Sequence, residues 1–345
     1  MKSFPKNPEK FPKAAIVGLG SVSPMHIKSL EALGIPIVAV CDNCAEKVFS
    51  ISKKMGCASY VSYEKMLEAG GFDVLHICLP HHLHAPVAVA AFGRGVHVLT
   101  EKPMATTVAD AEKMISAAED SEKILGVVFQ NRYSPGAVLI KNTLAGGELG
   151  KVKSGWMRVT WHRSDDYYAS SDWRGKLLTE GGGVAINQSI HSFDLLNYFL
   201  GNPTEVDASI ANRAHPAIEV EDVAEGLITY GEATVSFFVN TFHPYDAPAG
   251  LELICEHGKA ALIGEDAVIS WNDGRVKTAG ADTETQKQFG MKSYWGVSHV
   301  KQIGDFYESL KTGSIVKIGG KEGLLTQRLI SGIYQSAKEE TRVIF

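Results

Sequence analysis

The strongest constraint in this chain is a set of five short apolar runs spaced along its first third. They are "AAIVG" from Ala14, "PIVAVCD" from Pro36, "DVLHICLP" from Asp73, "VHVLTEKP" from Val96 and "ILGVVF" from Ile124. Each is near-continuously apolar instead of alternating, which is how strands of a parallel sheet read when both faces are covered. The stretches between them, at 25–33, 45–55, 85–92 and 108–118, have helical spacing and helix-forming residues. Strand, helix and strand in repetition predict a doubly wound α/β domain that ends near Phe129.

Beyond Phe129 the pattern changes. "KVKSGWMRVTWH", "EVDASIAN", "VAEGLITY", "ATVSFFVN", "LELICEHGKAALIG" and "AVISWNDGRVKT" are strands in succession, with "YGEA" and "NDGR" as hairpin candidates. Helices are expected near 186–200, 300–310 and 322–338. This predicts a second, α+β domain on a large, mostly antiparallel open sheet, so residues 1–130 and 131–345 are taken as two domains. Helices on one face leave the other to be covered, and a homo-oligomer, dimer or tetramer, is expected.

Bulk properties exclude some functions. The 345 residues suit two or three domains, and the net charge of -5 argues against a nucleic-acid partner. No apolar run reaches the length of a membrane span. The opening "MKSFPKNPEKFPK" is polar, lacks the core of a secretory signal, and reads as a lead-in to the first strand. The five cysteines are an odd number and scattered, unlike a disulfide framework. "CDNC" has no second pair, and Cys41 closes an apolar strand, so it reads as structural, with no metal site expected. The expected location is the cytoplasm.

"GLGSVSPMH" follows the first strand. Gly18 suits a tight turn, and Gly20 lets backbone approach a pyrophosphate. Ser23 stands where the dinucleotide fingerprint has a third glycine for close helix packing. Pro24 suits the first helical turn. Asp42, 22 residues after Gly20, ends the next strand, where a carboxylate takes the ribose hydroxyls of adenosine. That carboxylate repels a 2′-phosphate, so NAD is expected in preference to NADP, with Lys47 as the nearby feature that weakens the preference.

Three segments, "GLGSVSPMHIKSL", "ICLPHHLHAPVAVAAFGRGVHVLTEKPMA" and "GGGVAINQSIHSFDLLNYFLG", resemble the Gfo/Idh/MocA oxidoreductases, the family of glucose–fructose oxidoreductase and inositol dehydrogenase. The resemblance extends from about Ala14 to about Lys338. It implies a Rossmann domain and an α/β domain whose open sheet mediates oligomerisation. It also implies hydride transfer between nicotinamide and a carbinol or keto carbon of a sugar, cyclitol, glycoside or sugar nucleotide.

On this resemblance Lys102 polarises the substrate oxygen at a strand end, with Pro103 aiming it through a cis peptide. Glu101 supports the lysine or faces the cofactor. Asn187, His191 and Asp194, spaced i, i+4 and i+7, are expected on one helical face, with Asn187 orienting substrate or imidazole and Asp194 either touching substrate or making a structural pair. His191 is the expected acid/base, and its reference pKa of about 6.5 suits the task. Inositol-dehydrogenase-like members carry Asp four residues before this His as a relay partner; here Asn187 cannot accept a proton. "PHHLH" places Pro80, His81, His82 and His84 beyond a strand end, where they line the cofactor side or start a helix, with Pro80 and His84 assigned to the cofactor side. Arg132 and Tyr133 are expected to touch substrate or to set the interdomain angle. Trp173 and Arg174 are expected to hold a sugar ring or an anionic group, or to serve a structural loop. His299 either reaches the site or lies on an ordinary helix face. The expected substrate is a small carbohydrate or cyclitol, with UDP-amino sugars and glycosides the first to test. A non-catalytic sensor of NAD and sugar, and an enzyme using transient oxidation with tightly held NAD, stay open as alternatives. Retention of both Lys102 and His191 argues against the sensor.

Overall fold

The computed structural model describes residues 12–280 and 298–345; the polar lead-in over 1–11 lies outside the described residues. The described chain forms two units, 12–130 with 298–324, and 131–280 with 325–345.

The first unit is built on a six-stranded parallel sheet. Its strands are β1 (Ala14–Val17), β2 (Ile37–Cys41), β3 (Ala58–Tyr60), β4 (Val74–Ile77), β5 (His97–Thr100) and β6 (Leu125–Val127), in the order β3-β2-β1-β4-β5-β6. The helices are α1 (Ser23–Leu33), α2 (Ala45–Met55), α3 (Tyr63–Ala69), α4 (His84–Phe92) and α5 (Val108–Asp120). This is the Rossmann order, with its switch point between β1 and β4. β3 and α3 carried no sequence signal: β3 is three partly exposed residues at the sheet edge.

Register aligns the strand ends. Cys41 pairs with Val17, Val17 with Ile77, Ile77 with Thr100, and Thr100 with Val127. The ladder runs one step further, from Gly18 N–H to Cys41 O, Cys78 N–H to Val17 O and Glu101 N–H to Ile77 O. Gly18, Asp42, Cys78 and Glu101 therefore leave the sheet side by side along its carboxyl edge.

The helix Ser298–Thr312 belongs to this first unit, where it packs on α1. The sequence-based division, 131–345 as one domain, is corrected here. Phe306 and Tyr307 are buried, and Gln302 Nε2 donates to Val127 O at 2.7 Å. Gly126 makes the close approach: a Cβ there would lie 2.8 Å from the Phe306 ring. Such contacts join segments far apart in the chain, so no local sequence pattern marks them.

The second unit is built on a nine-stranded sheet. Its strands are β7 (Val152–Thr160), β8 (Glu205–Ala211), β9 (Val223–Tyr230), β10 (Ala233–Asn240), β11 (Gly250–Cys255), β12 (Gly258–Ile263), β13 (Asp266–Trp271), β14 (Val276–Ala279) and β15 (Val343–Ile344). The order is β14-β13-β12-β11-β7-β10-β9-β8-β15, and every pair is antiparallel except β7 with β10. "YGEA" turns β9 into β10, and "NDGR" turns β13 into β14. The helices are α6 (Pro135–Ala145), α7 (Asp165–Ala169), α8 (Leu177–Glu180) and α9 (Ile190–Leu200), with the later part of the helix Gly320–Glu339. α6 lies on β12, β13 and β14. On that face Val235, Leu253, Ala260 and Ile269 are buried. On the other, one row across the sheet runs Leu227, Ser236, Trp156, Glu252, Ala261 and Val268, with Leu227 and Val268 exposed.

An ion pair anchors α9. Arg132 Nε and Nη2 each lie 2.7 Å from a different oxygen of Asp194, and Thr326 Oγ1 donates to Asp194 Oδ1 at 3.0 Å. Both charged side chains are buried. Asp194→Ala is expected to lower unfolding free energy by about 3–5 kcal/mol, because it leaves a buried guanidinium without its counter-charge. Phe306→Ala is expected to cost about 3–5 kcal/mol by opening a cavity. Denaturant midpoints at constant m check both; losses below about 1 kcal/mol would contradict them.

Candidate active site

In the first unit the glycine turn after β1 is set by a close approach. Gly18 has φ 87°, and a Cβ on it would lie 2.4 Å from Cys78 O. Only glycine fits both conditions. Gly20 is exposed, with no atom within 4 Å of its Cβ direction. Ser23, in the place of the third glycine, is buried as the first residue of α1 and donates through Oγ to Gly20 O at 2.9 Å. Its small side chain thus closes the turn that glycine would leave open. No side-chain cap occupies the start of α1, so the turn has room and helix polarity for a pyrophosphate. Asp42 Oδ2 accepts the Leu19 N–H at 2.7 Å, and Oδ1 accepts the Cys44 N–H at 3.0 Å; Lys47 Nζ lies 3.5 Å away. The carboxylate therefore also braces the glycine turn, a role the sequence did not show. These residues fit a dinucleotide.

His84 and Glu101 are both buried and bonded to protein groups. Pro80 leads into the 3-10 turn His81–Leu83, after which His84 starts α4. His84 is buried, with Nδ1 2.7 Å from Pro103 O and Nε2 2.8 Å from Leu79 O. Burial lowers its pKa, against the pull of the two carbonyls. It ties the loop after β4 to the loop after β5. Glu101 is also buried, with Oε1 2.9 Å from His26 Nε2 and 3.7 Å from His299 Nε2. Its Oε2 accepts the Lys102 N–H at 3.3 Å. Burial alone would raise its pKa, but the hydrogen bonds and charge of His26 and His299 hold it well below the usual carboxylate range.

The chain of contacts continues from His26 Nδ1 to His76 Nδ1 at 2.8 Å, and from His76 Nε2 to Tyr307 Oη at 2.9 Å. Burial and the neighbouring His26 push the His76 pKa well down, so it stays neutral. The sequence signal for this network was a single polar residue inside the apolar run "VLHI" of β4. Lys102 follows Glu101 directly, half-buried, and the Lys102–Pro103 peptide is cis.

In the second unit α9 begins at Ile190, so Asn187 stands in the turn before it and His191 in its first turn. The single helical face expected for Asn187, His191 and Asp194 is corrected accordingly. Asp194 pairs with Arg132, the structural pairing among its expected roles. Tyr133 ends the neighbouring 3-10 turn Gln130–Tyr133 and is half-buried.

The turn at 181–189 is held from beneath. A Cβ on Gly183 would lie 1.9 Å from Glu221 O. The buried Glu221 carboxylate accepts the N–H groups of Gly183 (2.8 Å) and Ala185 (3.0 Å) and the Tyr334 hydroxyl (2.9 Å). Asn187 Nδ2 donates to Glu180 Oε1 at 2.5 Å, and Gly175 N–H donates to Glu180 Oε2 at 2.5 Å. Glu180 is fully buried, and burial pushes its pKa up to about 7 despite those two donors. Asn187 and Gln188 also reach the Tyr167 hydroxyl, at 3.5 and 3.4 Å. The Arg174 guanidinium stacks over Tyr167 at 4.5 Å and Trp173 at 5.0 Å, and Arg163 covers Tyr167 at 5.4 Å. Tyr167, Arg174, Asn187 and Gln188 thus form one polar wall just before His191. Tyr167, Gln188 and Glu180 carried no signal of their own beyond lying in loops next to named residues.

Comparison with known proteins agrees with this architecture. Residues 13–129 match the model of the oxidoreductase family with an NAD-binding Rossmann fold, and residues 138–261 match the GFO/IDH/MocA C-terminal domain. A 1,5-anhydro-D-fructose reductase of Ensifer adhaerens is 27% identical over 263 residues, covering 75% of this chain and 77% of the relative. A D-glucoside 3-dehydrogenase of Escherichia coli is 24% identical over 354 residues, covering 96% and 97%. The crystal structure of the WlbA dehydrogenase from Bordetella pertussis, in complex with NADH and UDP-GlcNAcA, superposes with a TM-score of 0.87 at 26% identity, over 98% of this chain and 99% of that one. With its Rossmann strand order, glycine turn and paired domain matches, the chain belongs to the Gfo/Idh/MocA family of NAD-binding oxidoreductases.

Proposed function

We propose that the protein transfers a hydride between NAD and a carbinol or keto carbon of a carbohydrate, glycoside, sugar nucleotide or cyclitol. Lys102 polarises the reacting oxygen, and His191 serves as acid/base. The observation that carries this reading is the register of the parallel sheet. It sets the Gly18–Gly20 turn, Asp42 and the Glu101–Lys102 step along one carboxyl edge, where ligands of such sheets bind.

NAD, when bound, supplies the carbon that takes or gives the hydride. Gly18, Gly20, Ser23 and Asp42 would hold its pyrophosphate and adenosine ribose. The Lys102 ammonium donates a hydrogen bond to the substrate oxygen, and it favours the negative charge that builds there as the proton leaves. His191 Nε2 or Nδ1 takes that hydroxyl proton in oxidation and returns it in reduction. Asn187, Gln188, Tyr167 and Arg174 supply donors and acceptors for a polyhydroxylated ring, in keeping with the sugar substrates in the names of the relatives. Arg174 adds a positive charge that favours an acidic or phosphorylated group, as in the sugar nucleotide bound to the Bordetella enzyme. A homo-oligomer, with a second copy on the sheet face that exposes Leu227 and Val268, and a cytoplasmic location with all five cysteines unpaired, complete the reading.

A screen of NAD reduction across cyclitols, aldoses, glycosides and UDP-sugars should find a turnover substrate. With it, Lys102→Ala and His191→Ala should each lower kcat by about 10²–10⁴-fold while sparing NAD binding, the scale of acid–base groups. Near-normal turnover in either variant would remove that residue from the mechanism. Asp42→Ala should shrink the ratio of NAD to NADP affinity; an unchanged ratio would show that selectivity lies elsewhere.

A further inference from the structure

We infer that Glu180 is the proton-holding partner of the acid–base face, and that its ionisation sets which way the Asn187 amide points. This rests on the proposed role of His191. Asn187 stands four residues before His191, and an amide cannot hold a proton. The structure puts a carboxylate directly behind that amide. Glu180 Oε1 is 2.5 Å from Asn187 Nδ2, and Oε2 takes the Gly175 N–H at 2.5 Å.

The two oxygens are not equivalent. Gly175 N–H is a backbone donor that cannot turn away, so Oε2 must remain an acceptor. The carbonyl oxygen of a carboxylic acid accepts better than its hydroxyl oxygen, so a proton on Glu180 is favoured on Oε1, facing Asn187. Two donors cannot share one hydrogen bond, so protonation must reverse the amide, with Oδ1 toward Glu180 and the NH2 group outward. The two amide ends are nearly the same size, and the reversal needs no repacking. Tyr167 Oη, 3.5 Å from the amide, suits either state because a hydroxyl both donates and accepts. With Glu180 ionised, Asn187 presents an acceptor outward; with Glu180 protonated, it presents a donor. The acceptor form suits a hydroxyl or imidazole N–H in oxidation, and the donor form suits a carbonyl in reduction.

The groups around Glu180 allow it to titrate within the working range. Arg174 favours the carboxylate, and Glu221 opposes it. Tyr168 and Tyr334 are held neutral by burial. Glu180 itself is fully buried, and burial is the largest influence on its titration near 7.

The test compares wild type, Glu180→Gln and Asn187→Leu. In Glu180→Gln the side-chain oxygen must face Gly175 N–H, so its NH2 faces Asn187 and fixes the protonated-state geometry at every pH. Thermal stability is read first, because it does not need activity. The native state takes up the Glu180 proton at higher pH than the unfolded chain does. The unfolded chain therefore binds fewer protons between about pH 4.5 and about pH 7. Wild-type stability relative to Glu180→Gln should fall across that window as pH rises and level off above it. Asn187→Leu, which removes a donor to the carboxylate, should move the upper edge of that window to higher pH. In turnover, wild-type kcat should show a limb near neutrality of about tenfold, the effect of one reversed buried hydrogen bond, with KM little changed. Glu180→Gln should lack that limb and keep the one due to His191.

A difference in stability that does not vary with pH, or a pH–rate profile in Glu180→Gln that is only scaled from wild type, would overturn the inference. If Glu180→Gln does not fold, a wild-type stability curve with no inflection shifted by Asn187→Leu would overturn it instead. Full turnover in His191→Ala would sink the proposed mechanism while leaving the Glu180 stability curve to stand or fall separately.

Discussion

Every assignment in the first unit depends on the alignment of one row of parallel pairs, Cys41 with Val17, Val17 with Ile77 and Ile77 with Thr100. A parallel ladder has a fixed direction, so residues that follow those pairs must emerge at the same edge. A glycine turn, an acidic residue and a lysine 24 to 84 positions apart in the chain (Gly18, Asp42 and Lys102) become neighbours along that edge only through this register. A slip of one residue would turn each strand's side chains to the opposite face and dissolve the alignment.

Four buried carboxylates show how this chain handles charge away from water, and each does so differently. Asp194 is matched by a bidentate arginine and a threonine hydroxyl. Glu101 is matched by two histidines and stays ionised. Glu221 is held by backbone N–H groups and a tyrosine, and burial still raises its pKa. Glu180 accepts from the Gly175 N–H and the Asn187 amide, with Arg174 favouring and Glu221 opposing its charge, and burial pushes its pKa up to about 7. Desolvation penalises every carboxylate, and only a nearby cation or several donors restore the ionised form.

The network from Glu101 through His26 and His76 to Tyr307 ties α1, β4 and the helix Ser298–Thr312 to the strand end that carries Lys102. Buried polar chains of this kind are costly unless every member is satisfied, and they are specific when they are. Here a helix from late in the chain completes a network that begins at the lysine loop. That is why 298–324 belongs with the first unit.

Local patterns in the sequence specified the strands β1, β2, β4, β5 and β6, the helices α1, α2, α4 and α5, the change to an antiparallel sheet after Phe129, and the residue types at the glycine turn and the lysine step. These are local signals: apolar periodicity, turn residues and strand-end motifs depend on neighbours within a few positions. Tertiary structure alone decided the rest. It paired Arg132 with Asp194, turned His84 and Glu101 inward, moved Asn187 out of α9 and placed Glu180 behind it, and assigned the helix Ser298–Thr312 to the first unit. The physical reason is the same in each case. A buried polar group must find its partner in three dimensions, and those partners lie from 5 to 198 residues away in the chain, at separations no single periodicity encodes.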